Sequence, residues 1–292
     1  MANSRPFPLI SVDELRTRLE AGDGIRLLDV RYRLEQPDGR PDHLAGHLPG
    51  AVYVDMDTEL ATHGDPSDGR HPVPSREVLQ DAARRWGLRI GDAVVVYDDY
   101  RSVSAARAWW LLTHSGVDDV RVLDGGLSAW TAAGLPLEAG EVVPARGSVE
   151  LEELSGGIAT IDEAEAWPTR GVLLDVRAPE RYRGETEPYD PIAGHIPGAV
   201  NLPAGAYLDG EGFAEPEAIC EALAGAGVTD ESPVAAYCGS GLTAAHLALA
   251  GAVAGVDVTV FPGSWSQWSN TPGRPVATGP TPGGDAVPLA KG

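Results

Sequence analysis

Residues 27–31 read Leu-Leu-Asp-Val-Arg, and the same five residues return at 173–177, 146 positions later. A second motif repeats in the same order, because residues 45–52 (Ala-Gly-His-Leu-Pro-Gly-Ala-Val) return at 193–200 with one conservative change. Two further matches follow along the chain, 94–97 with 234–237 and 125–130 with 263–268. Four matches in one order indicate that the chain contains one unit twice.

Short apolar runs alternate with longer stretches of helical periodicity within each copy. The first copy has predicted strands at 26–30, 51–54, 93–97 and 120–123, and predicted helices at 78–86 and 104–114. The second copy repeats the strands at 172–176, 200–202, 234–237 and 256–261. This alternation is typical of a mainly parallel sheet flanked by helices. The sequence therefore predicts an α/β protein with two tandem domains.

The domain boundaries follow from the composition between the copies. We predict an N-terminal domain at 1–140, a linker at 141–157, a C-terminal domain at 158–277 and a tail at 278–292. The linker is rich in Glu, Gly, Pro and Ser and has no sustained hydrophobic period. The tail is rich in Pro and Gly and has little apolar content, so we predict that it is disordered.

The composition limits the classes of partner. With 43 acidic and 22 basic residues, the net charge is −21, which argues against nucleic acid or an anionic membrane as a main partner. No apolar run reaches the roughly 18 residues that a membrane span needs, and the N-terminus lacks the apolar core of a signal peptide. We therefore expect a cytoplasmic protein whose two cysteines, Cys220 and Cys238, stay reduced. Neither cysteine has a Cys or His partner at metal-ligand spacing, so no metal site is expected.

Residues 237–244 (Tyr-Cys-Gly-Ser-Gly-Leu-Thr-Ala) are typical of a strand end, a tight loop and a helix start. Free backbone N–H groups and the positive helix end favour an anion, so Cys238 should lose its proton more easily than a free cysteine. Gly239 and Gly241 let the backbone fold closely around the sulfur. The alternative is a buried structural cysteine. The first copy has Asp98 at the matching position, so only the second copy can perform thiol chemistry.

Features that occur in both copies are expected to serve the fold. The aspartates are predicted to lie at strand ends and to pair with the arginines, while each Gly-His-x-Pro-Gly motif makes a turn. We do not expect the repeated histidines to be catalytic bases. The residues concerned are Asp29 and Asp175, Arg31 and Arg177, and His47 and His195.

The repeated motifs, the Pro-Gly-Ser-Trp sequence at 262–265 and the single cysteine loop together resemble the rhodanese-type sulfurtransferases, from about Leu9 to Val276. The resemblance implies that the C-terminal domain is catalytic, that the site lies between the domains, and that Cys238 cycles through a persulfide. The loop Cys-Gly-Ser-Gly-x-Thr-Ala is similar to that of the 3-mercaptopyruvate sulfurtransferases. Thiosulfate sulfurtransferases usually carry basic residues directly after the cysteine, which suits a small dianion.

The resemblance also implies a Ser-His-Asp relay made of Ser240, His71 and Asp57. A hydroxyl between a histidine and the substrate can carry a proton to the departing enolate, which is general-acid catalysis. The alternatives are that Ser240 caps the helix and that His71 is an ordinary surface residue beside Pro72.

Arg181 matches the family arginine that binds the substrate carboxylate, and its planar fork suits that role. Arg183 is a second candidate contact. The family's second arginine falls near Pro191 and is missing, which leaves the donor open between 3-mercaptopyruvate and thiosulfate. The persulfide is expected to rest against the backbone amides of the loop, at Gly239, Gly241, Leu242 and Thr243.

The hypothesis is a two-step sulfur transfer that needs no cofactor. The Cys238 thiolate takes a sulfur atom from a small-molecule donor and passes it to cyanide, sulfite or an acceptor thiol, such as a small thiol or a thioredoxin-like protein. One alternative is a cysteine phosphatase or arsenate reductase, but its Cys-x5-Arg loop would need an arginine where Ala244 stands. The others are a thiosulfate-preferring sulfurtransferase and a non-enzymatic sulfur carrier or regulatory module.

Overall fold

The computed structural model describes residues 7–284 and 287–288. As far as they are described, Met1–Thr62, Val73–Ser155 and Asp209–Phe213 form a first compact unit. The second unit consists of His63–Pro72, Gly156–Leu208 and Ala214–Gly292. Residues 63–72, predicted in the N-terminal domain, therefore group with the second unit, and residues 209–213 group with the first.

The first unit is built around a five-stranded parallel sheet with the strand order β1-β5-β4-β2-β3. Its elements are β1 (Leu9–Ile10), α1 (Val12–Glu20), β2 (Ile25–Asp29), α2 (Arg40–Ala45), β3 (Val52–Tyr53), α3 (Met56–Glu59), α4 (Arg76–Arg85), β4 (Ala93–Tyr97), α5 (Val103–His114), β5 (Val120–Leu123) and α6 (Gly126–Ala132).

The second unit is built around a four-stranded parallel sheet with the strand order β11-β10-β6-β7. From residue 156 onward, the elements along the chain are α7 (Ile161–Ala166), β6 (Val172–Asp175), α8 (Pro179–Tyr182), β7 (Val200–Asn201), β8 (Leu208–Asp209), β9 (Gly212–Phe213), α9 (Pro216–Gly225), β10 (Val234–Tyr237), α10 (Leu242–Ala254), β11 (Val258–Val260), α11 (Ser264–Asn270), β12 (Pro275–Val276) and β13 (Val287–Pro288). Of these, β9 and Asp209 of β8 group with the first unit. Strands β8 and β9 pair with each other, as do β12 and β13. Short 3-10 helices cover Pro66–Asp68, Trp167–Thr169 and Ala204–Tyr207.

These sheets confirm the predicted fold class of two α/β units. The eight predicted strands are present with ends shifted by no more than two residues. Each was predictable because a parallel strand is covered on both faces and reads as a short continuous apolar run. Helix starts follow local capping: Thr160 and Glu163 form a reciprocal capping box at α7. Among the described residues, no helix is long and apolar enough to cross a membrane.

The repeated aspartates and arginines confirm their predicted structural pairing. Arg31 Nη2 lies 2.9 Å from Asp29 Oδ2, and Arg177 Nη2 lies 2.6 Å from Asp175 Oδ2. All four side chains are buried. Each arginine also donates to the carbonyl of the glycine that precedes the repeated histidine. The two repeated motifs are therefore tied together within each unit, which explains why both copies keep them.

The repeated histidines are buried and serve the backbone. His47 Nδ1 donates to the carbonyl of His43 at 2.8 Å, and His195 Nδ1 donates to the carbonyl of Tyr182 at 2.8 Å. Burial lowers the pKa of His195. These contacts agree with the prediction that the two histidines are not catalytic bases.

Most of the predicted linker belongs to the first unit. Its residues up to Ser155 pack there, and Val149 and Leu151 are buried. The backbone N–H of Gly147 donates to the carbonyl of Arg84 at 2.7 Å. The composition of this segment did not show that two apolar side chains would be covered.

The prediction of a disordered tail does not hold for its described residues. Strand β13 pairs with β12, and the N–H of Gly279 donates to the carbonyl of Arg183 at 2.9 Å. The N–H of Gly198 donates to the carbonyl of Pro282 at 2.6 Å. Backbone hydrogen bonds to the turns of the second unit hold these residues in place. Residues 285–286 and 289–292 of the tail lie outside the described part of the chain.

Candidate active site

The candidate nucleophile Cys238 lies directly after the central strand β10 and ahead of helix α10, as the sequence predicted. Its side chain is buried, with 3% of the residue exposed. The backbone N–H of Gly241, the residue that caps α10, donates to Cys238 Sγ at 3.0 Å. An amide at a helix start stabilises negative charge, so this contact favours a thiolate or persulfide anion at that place.

Gly241 is required by the shape of the loop. Its φ is +90°, a conformation that L side chains rarely adopt. A Cβ at this position would also overlap the carbonyl oxygen of Pro262. A glycine is therefore the one residue type that lets the chain turn tightly enough for its amide to reach Cys238 Sγ.

The first copy shows what such a loop does when no cysteine is present. Asp98 is buried, and its Oδ1 accepts from the N–H groups of Tyr100 and Ser102 at 2.9 Å each. Its Oδ2 accepts from Ser104 at 2.8 Å and from Ala105 at 2.9 Å. The pKa of Asp98 is raised to about 6, because the effect of burial exceeds that of the four amides, which act in the opposite direction. The loop of the first copy thus surrounds an acidic group of its own with backbone amides.

Ser264 holds the cysteine from the neighbouring loop and was missed by the sequence reasoning. Its Oγ accepts from the Cys238 N–H at 3.1 Å and donates to the carbonyl of Phe261 at 2.9 Å. The same Oγ lies 3.9 Å from Cys238 Sγ. Ser264 has a φ of +54°, and its counterpart in the first copy, Gly126, has the same φ. The sequence did contain a signal for this residue, because the second copy has a serine where the first copy has a glycine.

A cavity of about 400 Å³ opens beside the cysteine. Its size suits a small-molecule ligand. The lining residues come from the segment between β6 and α8, from α8 itself, from the start of the 3-10 helix at Ala204–Tyr207, and from the cysteine loop with the first turn of α10: Val176, Arg177, Ala178, Pro179, Arg181, Pro203, Ala204, Gly205, Cys238, Gly239 and Thr243. The structure therefore brings four of the predicted site residues, Cys238, Gly239, Thr243 and Arg181, to one cavity.

Arg181 reaches this cavity from α8, and two buried carboxylates hold its guanidinium. Its Nε and Nη2 donate to the carboxylate of Glu187 at 3.1 and 2.6 Å, and Nη2 lies 3.5 Å from Asp190 Oδ2. Both carboxylate side chains are 3% exposed. A Cβ added at Gly239 would lie 3.4 Å from Arg181 Nη1. The guanidinium is therefore fixed beside the backbone that follows the cysteine.

Six side chains of alternating charge connect the sheet to the cysteine loop, and we call them the charge ladder. Its members, in spatial order, are Asp175, Arg177, Glu187, Arg181, Asp190 and Arg70. Three carboxylates and three guanidinium groups make the ladder neutral when all are ionised. Burial is the main cause of a raised pKa at Asp190, while the arginines beside it act to lower that pKa.

Arg70, at the end of the charge ladder, was also missed. Its Nη2 donates to Asp190 Oδ1 at 2.6 Å, and its guanidinium carbon lies 5.7 Å from the centre of the Tyr189 ring. A Cβ added at Gly239 would lie 3.8 Å from Arg70 Nη1. The sequence signal was an arginine immediately before His71, but nothing local indicated that it would reach the cysteine loop.

Arg183 is placed differently from Arg181. Its guanidinium pairs with the exposed carboxylate of Glu185 at 2.7 and 2.8 Å. The described residues that line the cavity do not include it. The structure therefore gives Arg183 a surface partner instead of a contact with the cavity.

The three residues of the predicted relay fall in both units. Ser240, 9% exposed, lies in the cysteine loop, and His71, 4% exposed, lies in segment 63–72 of the same unit. Asp57 lies in α3 of the first unit and is partly exposed. The relay stays a prediction.

The described residues contain no group of three or more His, Cys, Asp or Glu side chains that could hold a metal ion. Both cysteines are free, and Cys220 is exposed on α9. The groups that the structure brings to the cavity are the cysteine sulfur, the loop backbone and the guanidinium groups of Arg177 and Arg181.

Comparison with known proteins identifies the relatives of the chain. The family model of the rhodanese-like domain matches residues 11–133 and again 160–271. A Mycobacterium tuberculosis protein that carries the name thiosulfate sulfurtransferase (SseB) is 46% identical over 275 residues, which cover 93% of this chain and 97% of that protein. The human 3-mercaptopyruvate sulfurtransferase is 36% identical over 258 residues, which cover 85% of this chain and 86% of the human one.

A solved structure, SseA from Escherichia coli, superimposes with a TM-score of 0.79 at 29% identity and covers 89% of this chain and 99% of its own. The first match of the family model contains β2 to β5 of the first sheet, and the second contains all four strands of the second sheet and the cysteine loop. The chain therefore belongs to the family of proteins with rhodanese-like domains, of which it has two.

Proposed function

We propose that the chain is a sulfurtransferase that moves a sulfur atom from 3-mercaptopyruvate through a persulfide on Cys238 to an acceptor thiol, cyanide or sulfite. The observation that carries the proposal is the position of Cys238 Sγ, which accepts the Gly241 amide beside a cavity that Arg181 also lines. One small substrate in this cavity would then meet the nucleophile Cys238, the Gly241 amide that stabilises an anion, and the Arg181 cation that binds a carboxylate.

In the first half-reaction, the Cys238 thiolate attacks the donor sulfur. The new S–S bond forms as the C–S bond of 3-mercaptopyruvate breaks, and the electron pair of that bond leaves on carbon as the enolate of pyruvate. The proton of the donor thiol is released from the outer sulfur, and the enolate carbon takes up a proton. The Gly241 N–H, which donates to Cys238 Sγ, stabilises the thiolate before the attack, and Sγ then becomes the inner sulfur of the persulfide.

In the second half-reaction, an acceptor thiolate attacks the outer sulfur of the persulfide. The S–S bond breaks and its electrons return to Cys238 as the thiolate. A small thiol or a thioredoxin-like protein in the cytoplasm is the acceptor that we propose. Cyanide and sulfite would react in the same way and provide convenient assays.

Arg181 is proposed to bind the donor carboxylate. Its Nη1 faces the backbone of Gly239, so a carboxylate held there would place the donor sulfur towards Cys238. Proximity of this kind contributes by making the attack effectively intramolecular. We propose Ser240, His71 and Asp57 as the relay that supplies the proton to the enolate, and the amides of Leu242 and Thr243 as further contacts to the persulfide.

Thiosulfate is the second candidate donor. With thiosulfate, the attack would release sulfite as the S–S bond of the donor breaks. Its support is the name of the Mycobacterium tuberculosis relative, together with the second arginine beside Gly239, since a dianion gains more from two cations than from one.

The test measures persulfide formation and donor preference together. The intact mass of the protein after incubation with each donor should increase by one sulfur atom, and cyanide should remove it. Cys238→Ser should lose the added sulfur and all turnover, whereas Cys220→Ser, the matched control at the exposed cysteine, should keep both. Retained turnover in Cys238→Ser would overturn the proposal, and a much higher kcat/KM with thiosulfate would assign that donor instead.

A further inference from the structure

Arg70 is far from the catalytic cysteine in sequence but is fixed beside it by two backbone contacts. Its N–H donates to Ser266 Oγ at 3.0 Å. The preceding Gly69, with a φ of +91°, passes so close to the carbonyl of Gly263 that a Cβ would lie 2.9 Å from that oxygen. Residues 263–266 are in turn bonded to the cysteine loop, since the N–H of Ser266 donates to the carbonyl of Gly239 at 2.9 Å. Arg70 is therefore held in a fixed position relative to the loop.

Two guanidinium groups meet the same part of this loop. A Cβ added at Gly239 would have Arg181 Nη1 and Arg70 Nη1 as neighbours at 3.4 and 3.8 Å. Both guanidinium groups lie near the ring of Tyr189, at 5.2 and 5.7 Å from its centre. The two positively charged guanidinium groups repel each other, so they can lie this close only if an anion lies between them.

Asp190 supplies that anion in the absence of substrate. One of its carboxylate oxygens bonds Arg70 at 2.6 Å, and the other lies 3.5 Å from Arg181. Its side chain is 3% exposed, while those of Arg70 and Arg181 are 25% and 15% exposed. The side chains of the two arginines are therefore partly open to solvent, whereas the carboxylate between them is covered.

We propose that Arg70 is a second donor-binding arginine, which holds the anionic group of the sulfur donor together with Arg181, and that Asp190 is the internal anion with which the donor competes. This inference rests on the proposed sulfurtransferase function and names a specificity determinant for it. The donor class is a small molecule that carries a carboxylate or a sulfonate-like group whose central atom lies one to three bonds from the transferable sulfur.

The competition follows from the charge balance of the ladder. Its three carboxylates already neutralise its three guanidinium groups, so a donor anion adds uncompensated negative charge unless Asp190 gives up part of its contact with the two arginines. A dianionic donor meets more repulsion from Asp190 than a monoanionic donor does. Asp190 is therefore expected to disfavour thiosulfate relative to 3-mercaptopyruvate.

The first experiment compares Arg70→Gln with Arg16→Gln in the full-length protein. Arg16 lies on α1 of the first unit, is partly exposed and pairs with Glu20, so its variant removes the same charge far from the cysteine loop in sequence and outside the unit that holds it. Arg70→Gln should raise KM for both anionic donors by about 10- to 100-fold, with a much smaller change in kcat, because a charge-assisted contact to the bound donor is lost. Arg70→Lys should recover part of the loss, since it restores the charge without the planar fork.

The second experiment uses Asp190→Asn, which keeps the size of the side chain and removes its charge. It should lower KM for thiosulfate more than KM for 3-mercaptopyruvate. A rise in KM as large as that of Arg70→Gln would show that Asp190 only positions the arginines, and would overturn the competition. Urea unfolding midpoints of all variants distinguish these effects from loss of folding.

Different results would overturn the role of Arg70 and the sulfurtransferase function. If wild-type protein acquires no cyanide-labile sulfur from any donor, the sulfurtransferase proposal fails. If the wild type turns over and Arg70→Gln keeps the KM values of Arg16→Gln with both donors, Arg70 does not bind the donor and the inference is wrong.

Discussion

Ser264 offers a test of how the fold holds the catalytic sulfur. Its φ of +54° lies in the left-handed region, which costs a non-glycine residue about 1–2 kcal/mol. Gly126, at the equivalent place in the first copy, has the same φ without that cost. The retained serine is explained by its Oγ, which accepts the buried Cys238 N–H at 3.1 Å.

Two substitutions at this position separate the strain from the hydrogen bond. Ser264→Ala keeps the unfavourable φ and leaves the Cys238 N–H without its acceptor, so it should destabilise the second unit by about 1–3 kcal/mol. Ser264→Gly loses the same bond but relieves the backbone, so it should be more stable than the alanine variant by about 1 kcal/mol. Both variants should reduce kcat by about 10- to 100-fold, because either one frees Cys238 to move from its position for attack.

The assay combines urea unfolding, followed by tryptophan fluorescence, with the rate of pyruvate release from 3-mercaptopyruvate. Trp265 and Trp268 lie on the same helix as Ser264 and are buried, so their fluorescence reports on this part of the fold. Ser128→Ala, at an exposed serine of the equivalent helix in the first copy, is the matched control and should change neither quantity. Wild-type turnover in Ser264→Gly would refute the reasoning, since the positioning role assigned to Oγ would then be unnecessary.

Two further predictions concern the loops of the two copies. Gly241→Ala should abolish sulfur transfer and lower the unfolding midpoint, because the φ of Gly241 is +90° and the added Cβ would overlap the carbonyl of Pro262. The control is Gly255→Ala, where φ is +76° but no atom lies within 4 Å of the added Cβ. This variant should lose only about 1 kcal/mol of unfolding free energy and should stay active. Equal losses of activity and stability in the two variants would contradict the predicted overlap between the Cβ of Gly241→Ala and the carbonyl of Pro262. Asp98 has a folded-state pKa of about 6 against an ordinary value of 3.8, so its stabilising contribution is full below pH 4 and is lost as the pH rises through about 6. The free energy of unfolding of the first unit should fall by up to about 3 kcal/mol over that range in the wild type, and Asp98→Asn should lack this fall. If urea unfolding gives the wild type and Asp98→Asn the same pH profile, Asp98 does not titrate in that range.

The duplicated loop also explains how a cysteine site and a structural site share one fold. In the first copy, Asp98 fills its ring of amides with its own carboxylate. In the second copy, Cys238 receives the Gly241 amide and faces a cavity instead. The first loop is one residue longer, since its helix cap, Ser102, comes four residues after Asp98 and Gly241 comes three after Cys238. A tight turn whose amides contact an acidic group or a sulfur atom is thus common to both copies, and in the second copy it borders a cavity.

The amino-acid sequence by itself determined the repeat, the α/β fold and the place of the candidate nucleophile between a strand and a helix. These are local properties, because a parallel strand reads as a short apolar run and a helix start as a capping pattern within a few residues. The position of Cys238 between strand and helix followed from the same reasoning, as did the pairing of Asp29 with Arg31, which are two residues apart.

Only the tertiary structure decided which charges surround the site. Arg70 pairs with Asp190 across 120 positions and is anchored to Ser266 across 196, and no local pattern encodes such contacts. The left-handed conformation of Ser264 and the structured part of the tail likewise depend on neighbours that are distant in sequence. The sequence could name Arg181 from a resemblance, but the second arginine beside Gly239 became visible only when the folded chain placed residues 63–72 against the helix that follows β11.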